Sequence, residues 1–267
     1  MCFNPKTISV CRKSTNTLES IKVPCGYCYE CIMQHSKEWS YRIMDEASLY
    51  DKNCFITLTY NDENLQSKSL VKSDYQKFLK RLRKKVGKVR YFGCGEYGSK
   101  NMRPHFHFII FGWCPDDLVK WCFDNKGTQL YRSATLEKLW QFGFSTVGEV
   151  TEQSALYCSK YLQKMQDYPF DLVKPFVTMS LKPGIGLGAF NVQSLKSDKL
   201  YRNGKYIKLP RYYLDQAEKS FGFVDEVQEI RENRLTMAEL MEKTPEELKE
   251  KQFRILKLFS RKSVKKV

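Results

Sequence analysis

The chain has 267 residues, with 45 Lys and Arg against 30 Asp and Glu, a formal charge of +15. Its 42% apolar and 14% aromatic content is enough to fill a packed core, which excludes bulk disorder. No run of about 18 apolar residues occurs, and Met1-Cys2-Phe3-Asn4-Pro5 lacks the apolar centre of a signal peptide. The expectation is a cytosolic protein with no membrane span, whose ten cysteines are reduced or metal-bound. The charge excess calls for a polyanionic partner, of which nucleic acid is the commonest.

The first informative stretch is Pro24-Cys25-Gly26-Tyr27-Cys28-Tyr29-Glu30-Cys31. Three thiols at this spacing can wrap one soft ion, and the glycine permits a tight knuckle. A closed zinc site needs a fourth ligand, for which Cys2, Cys11 and His35 are available; Cys2 is favoured. Such an ion would fasten the N-terminus and take no part in catalysis. Residues 29–50 then read as a helix, with Ile32, Trp39, Ile43, Ala47 and Tyr50 at helical spacing and Asn53 closing it.

Cys54–Tyr60 reads as a strand. The next helix is capped by Ser73 or Asp74 and buries Tyr75, Phe78, Leu79, Leu82 and Val86. Its other surface carries Lys77, Lys80, Arg81, Arg83, Lys84 and Lys85, charges of one sign that suit a DNA backbone.

Val89–Glu96 and Arg103–Gly112 form the central hairpin. Side chains two apart on a strand share a face, so His105 and His107 present paired imidazoles suited to a divalent metal. Glu96 can reach them as an oxygen ligand. Lys100 and Arg103, in the connection, are placed to meet a phosphate. Further on come a helix over 115–123, another near 136–140 and a strand over 144–150. The alternation predicts an α+β fold, a four-stranded antiparallel sheet with helices on one face in the split β-α-β arrangement.

Thr151 caps a helix running to Met165. Ala155, Cys158, Leu162 and Met165 make its core side, while Tyr157, Lys160, Tyr161 and Lys164 fall on another. Two phenols one turn apart beside two ammonium groups can act as nucleophiles on a phosphodiester. From about Phe221 the chain changes character: 226–250 is mixed-charge and helical, and the tail from Lys251 is basic. The segments are 1–52, a Cys-rich knuckle and helix; 53–215, a catalytic domain; and 216–267, a helical extension.

With these pieces in order, the sequence resembles the replication initiators of small single-stranded DNA phages, the Microviridae, and their gokushovirus branch in particular. These belong to the His-hydrophobic-His (HUH) endonuclease superfamily. The resemblance rests on Val23–Cys31, Glu46-Ala47-Ser48, Phe55–Glu63, Gly95-Glu96-Tyr97-Gly98, Arg103–His107, Tyr157–Lys164, Pro183-Gly184-Ile185-Gly186 and Leu209–Tyr213. It implies rolling-circle replication in the cytoplasm of a bacterial host. His105 and His107, with Glu96, would hold Mg²⁺ or Mn²⁺; Tyr157 and Tyr161 would nick and rejoin single-stranded origin DNA through a 5′-phosphotyrosine. Lys160 and Lys164 would steady the charge. No small-molecule substrate is implied, and without a Walker-type loop the chain would rely on a host helicase and polymerase. A zinc-containing DNA-binding module without catalysis, a metal-dependent hydrolase and a relaxase or transposase on the same core remain as alternatives.

Overall fold

The computed structural model describes residues 2–12, 17–65, 67–98, 101–124, 127–160, 171–202, 204–240, 244 and 246–254. In chain order the elements are β1 (Lys6–Arg12), β2 (Thr17–Val23), α1 (Tyr29–Ala47), β3 (Asn53–Tyr60), α2 (Lys72–Val86), β4 (Arg90–Tyr97) and β5 (Pro104–Phe111). Then follow β6 (Val119–Phe123), β7 (Gln129–Arg132), α3 (Ala134–Leu139), β8 (Gly143–Gly148), α4 (Glu152–Ser159) and β9 (Phe176–Met179). A small hairpin, β10 (Lys199–Arg202) and β11 (Lys205–Lys208), precedes α5 (Arg211–Phe221) and α6 (Val224–Leu240). Two compact units result: His35–Asn191, and Met1–Gln34 together with Val192–Val267.

The unit His35–Asn191 is built on a seven-stranded antiparallel sheet in the order β6-β7-β8-β3-β5-β4-β9. Strand β3 alternates strictly: Cys54, Ile56, Leu58 and Tyr60 are buried and face α2 and α3, packing with Phe78, Leu82, Phe106, Phe108 and Trp140. The opposite face carries Phe92, Cys94, Ile109 and Phe111, covered by Ile43 and Ala47 of α1 and by Ala155 and Cys158 of α4. Helices therefore lie on both faces of the sheet, not on one as expected. The reason is visible in β5, where residues 106–111 are all buried; a central strand apolar on both sides needs two covers.

Two other expectations change. The stretch expected to be a helix over 115–123 forms edge strand β6, paired with β7 across a turn in which Asp124 accepts the Thr128 N–H at 2.8 Å. Val119, Trp121 and Phe123 recur with period two among β-formers, and that pattern prevails over the helical reading. With β6, β7 and β9 the sheet has seven strands rather than four. Helix α2 starts at Lys72, and its N-cap is Val71 rather than Ser73 or Asp74. Asn53 does close α1, its side-chain amide donating to the carbonyls of Ala47 and Tyr50 at 2.9 and 3.0 Å.

The Pro183–Gly186 stretch, for which the sequence suggests only a loop, has a definite seat. Gly186 adopts a left-handed φ of +83° that favours glycine, and its N–H donates to Glu46 at 2.8 Å. Arg42 holds the Ile185 carbonyl at 3.0 Å, and Arg90 bridges Glu46 and the Pro183 carbonyl at 2.5 and 2.8 Å. Ile185 itself is wholly buried.

In the other unit, β1 and β2 form an antiparallel hairpin beyond the elements expected from the sequence. Alternation of Ile8 and Val10 with polar neighbours carries it. Arg231 of α6 pairs with Asp215 and Glu218 of α5, each at 2.9 Å. Among the described residues no helix is long and apolar enough to cross a membrane.

Candidate functional site

The face of the sheet shared with α1 and α4 carries the predicted ligands. In the ladder between β4 and β5, Glu96 stands opposite His105 and Cys94 opposite His107. A carboxylate directly opposite one imidazole and diagonal to the next can serve both. It does: Glu96 Oε1 lies 2.9 Å from Nε2 of His105 and 2.9 Å from Nε2 of His107. Glu96 is 2% exposed and His107 7%, so these groups have given up water and depend on one another.

Neighbours fix each ring. Across β3, Thr59 faces His105 and Thr57 faces His107. The Thr57 hydroxyl is 2.9 Å from Nδ1 of His107, and Phe55 stacks on that imidazole at 5.5 Å and 4°. On β4, Gly93 lets the strands meet: a Cβ there would collide with the Phe108 ring and lie 2.7 Å from the His107 carbonyl oxygen.

The tautomer of His105 follows from its partners. Its Nδ1 is 3.1 Å from the Arg103 carbonyl, which can only accept, so Nδ1 carries a proton. A neutral His105 would then turn the lone pair of Nε2 onto a carboxylate oxygen 2.9 Å away. Two acceptors in contact need a cation between them, either a second imidazole proton or a metal ion. One carboxylate oxygen and two imidazole nitrogens, all within 4.8 Å of one another, are a donor set that fits a divalent ion.

Helix α4 supplies the fourth member. Thr151 caps it as expected, within a capping box: its hydroxyl accepts from the Ser154 N–H while the Ser154 hydroxyl takes the Thr151 N–H at 2.8 Å. Ala155 and Cys158 enter the core, which turns Tyr157 toward the sheet. Its hydroxyl donates to Glu96 Oε1, and its ring meets that of His107 at 5.1 Å, edge to face.

The electrostatics are those of a buried, mutually satisfied cluster. Burial alone would raise the Glu96 carboxyl, but its hydrogen bonds with His105, His107 and Tyr157 overcome that and hold it down at about 2. Burial depresses His107 below the usual imidazole range, partly offset by Glu96. Tyr157 is pushed well above an ordinary phenol, by burial first and by the Glu96 charge next.

The remaining predicted residues fare differently. Lys160 is the exposed C-cap of α4, three residues beyond Tyr157. Tyr161, Lys164 and Lys100 lie outside the described residues. Arg103, expected to meet a phosphate, is instead engaged with the Asp62 carboxylate and the Tyr60 carbonyl, tying the end of β3 to the hairpin. The basic helix α2 packs on the far face of the sheet from Glu96 and the histidines. Its Arg81 donates to the Leu139 carbonyl at 2.7 Å and Arg83 lies over the Tyr91 ring, so this helix is not a wall of the site.

One exposed residue near the site escapes a reading by motif. Phe144 of β8 stands opposite Thr59, which stands opposite His105, so the three form a row on one face. Phe144 is 57% exposed. Its only sequence signal is its place in the strand, which means little until the register is known.

In the other unit, Cys2, Cys25, Cys28 and Cys31 come together, with their sulfurs within 4.8 Å of one another, a second group able to hold a metal. Cys11, one of the weighed alternatives to Cys2, is exposed on β1.

Comparison with known proteins agrees with this picture. Residues 53–166 match the family model described as replication-associated protein ORF2. Replication-associated protein VP4 of Bdellovibrio phage phiMH2K is 33% identical over 228 residues, covering 78% of this chain and 71% of the relative. Replication-associated protein ORF2 of Spiroplasma virus 4 is 35% identical over 242 residues, covering 81% and 75%. Replication-associated protein ORF4 of Chlamydia phage 1 is 31% identical over 217 residues, covering 75% and 54%. No solved structure matches the chain. With such identity sustained over most of its length, the chain belongs to the phage replication-associated protein family, of the Microviridae type.

Proposed function

We propose that this replication-associated protein initiates rolling-circle replication as a metal-dependent single-strand DNA endonuclease and strand transferase. The observation that carries the reading is the meeting of Tyr157 with His105 and His107 on one carboxylate, Glu96. A nucleophile and a metal-ligand set at one point suit attack on a phosphodiester better than simple binding does. A hydrolase with the same ligands would have no use for the phenol.

Glu96, His105 and His107 would hold Mg²⁺ or Mn²⁺, which supplies positive charge to polarise the scissile phosphate. The protein's own part is positional. Glu96 orients the Tyr157 hydroxyl by accepting its hydrogen bond, and Phe55 and Thr57 keep His107 in register. The phenol oxygen bonds to phosphorus and the bond from phosphorus to the 3′ oxygen breaks. The proton lost from the phenol is balanced by the one gained at the new 3′-hydroxyl, leaving a 5′-phosphotyrosine. Tyr161 is the proposed second nucleophile, which rejoins the strand after one circuit. Lys160 and Lys164 are proposed to steady the charge. Host helicase and polymerase complete replication in the bacterial cytoplasm, and the domains follow the division 1–52, 53–215 and 216–267.

The test is incubation with a single-stranded oligonucleotide of the phage's own origin and Mn²⁺, followed by a denaturing gel. The reading expects a covalent adduct that a Tyr157→Phe, Tyr161→Phe double variant does not form. Cleavage without an adduct would identify a hydrolase instead, and binding without cleavage a DNA-binding module. The reading assigns no step to the four clustered thiols.

A further inference from the structure

We infer that Cys2, Cys25, Cys28 and Cys31 form a closed zinc site that fastens the N-terminal residues to the start of α1, with no open position for substrate or water. The argument is one of distances. Cys28 Sγ is 3.5 Å from Cys31 Sγ and 3.8 Å from Cys2 Sγ, and Cys25 Sγ is 4.0 Å from Cys31 Sγ. A disulfide would bring two of them to about 2.0 Å, and none does so. Four thiolates at a Zn–S length of about 2.3 Å form a tetrahedron whose edge is about 3.8 Å. The observed separations bracket that edge. An iron–sulfur cluster would spread its cysteines around several irons and sulfides, wider than one ion requires.

The surroundings fit thiolates rather than thiols. Backbone N–H groups point at three sulfurs: Phe3 donates to Cys28 at 3.5 Å, Cys25 to Cys2 at 3.2 Å and Cys28 to Cys25 at 3.3 Å. Gly26, at a left-handed φ of +84°, turns the chain between Cys25 and Cys28 so that both sulfurs face inward. Helix α1 begins at Tyr29, so Cys28 and Cys31 sit at its positive end, where negative charge is favoured. Cys25, Cys28 and Phe3 are each under one-tenth exposed. Four sulfurs packed this closely and served by amide donors repel one another unless a cation sits among them. The soft donor set selects Zn²⁺ from the divalent ions of a bacterial cell. Because all four positions are filled by protein, the ion acts through folding and not through chemistry.

The experiment is elemental analysis of the full-length protein purified without added metal, on a background in which His105 and His107 are both replaced by Ala. That background keeps zinc at the other metal group from being counted. One zinc per chain is expected, falling to near zero in Cys28→Ser and unchanged in Cys11→Ser. Since Cys28→Ser could fail to fold, zinc release is also followed on the unmutated cysteines by titration with an organomercurial. Release should be complete as four thiols react, with a matching loss of thermal stability. Protein loaded with Co²⁺ should show the intense visible bands of a tetrahedral sulfur site. Absence of zinc, iron in its place, zinc that survives Cys28→Ser or a six-coordinate cobalt spectrum would each overturn the assignment. The nicking reaction is read in a separate assay, so neither result decides the other.

Discussion

The hydroxyl of Tyr157 donates to the carboxylate of Glu96, which already serves both His105 and His107. The residue proposed as nucleophile and those proposed as ligands are thus held by a single oxygen. Replacing Tyr157 by Phe removes the attacking atom and one of several hydrogen bonds to Glu96. The fold should lose no more than about 1 kcal/mol, the typical net worth of one such bond. The phosphotyrosine adduct at this position should vanish. Mass mapping of the adduct in wild-type protein and in Tyr157→Phe checks this, and a persisting link at residue 157's peptide would be incompatible with it.

The same cluster sets a pH response. Glu96 sits at about 2 in the folded protein, below the ordinary value near 4.3. Its contribution is present above the unfolded value and is lost as pH falls from there toward 2. His107 is also depressed, so the unfolded chain takes up its proton first and stability falls as pH drops through about 6.5. Both act in the same direction. In metal-free protein the melting temperature should fall steadily from pH 7 to pH 3, and Glu96→Gln should flatten the lower part of that slope. Thermal melts across the range measure it; a slope that is the same in the variant would remove Glu96 as a cause.

Much of this site is legible in the sequence because strand periodicity is simple. Two histidines two apart share a face whatever the tertiary fold, and Glu96 needs only a hairpin to reach them. What cannot be read is set by neighbours distant in the chain. That α2 lies behind the sheet depends on the even-numbered side of β3 being its partner, which no local pattern in α2 announces. Strand β6 reads as a helix because its alternation is short and exposed, leaving no buried face to distinguish the two. Arg103 reads as free for a phosphate until the fold sets Asp62, 41 residues earlier, against it. Gly186 likewise acquires meaning only from Glu46, 140 residues away.

That last relationship gives a stability prediction. Glu46 is 2% exposed and binds Arg90 and the Gly186 N–H, while Arg90 also holds the Pro183 carbonyl. Truncating one partner of a buried pair leaves the other charge uncompensated, at a cost of about 3–5 kcal/mol. Glu46→Ala should lose about that much in a urea titration. A double-mutant cycle with Arg90→Ala should recover part of it, and strict additivity would contradict the coupling.

Gly93 is a second point of sensitivity, for a steric reason. Ala at this position must displace the Phe108 ring or the backbone at His107. Overpacking of this kind costs about 1–3 kcal/mol and occasionally more. Because His107 is attached to the part that must move, Gly93→Ala should weaken Mn²⁺ binding as well as stability. Isothermal titration with Mn²⁺ and chemical denaturation on the same sample test both effects, and a variant that lost stability while binding the ion normally would separate the strand contact from the site.

Phe144 should matter to DNA alone. It is exposed, stands in the same cross-strand row as Thr59 and His105, and offers a ring for a base flanking the scissile phosphate. Stacking of one base on an aromatic side chain is worth about 1–3 kcal/mol, so Phe144→Ala should weaken single-stranded DNA binding by roughly 5- to 150-fold. Its melting temperature should hardly change, because the ring buries little. The slope of log affinity against log salt should also stay the same, since no phosphate contact is lost. Phe144→Trp should restore binding. Titrating fluorescently labelled single-stranded origin DNA at several salt concentrations distinguishes stacking from a charge effect: an altered salt slope, or undiminished affinity in the alanine variant, would exclude a stacking role for this ring.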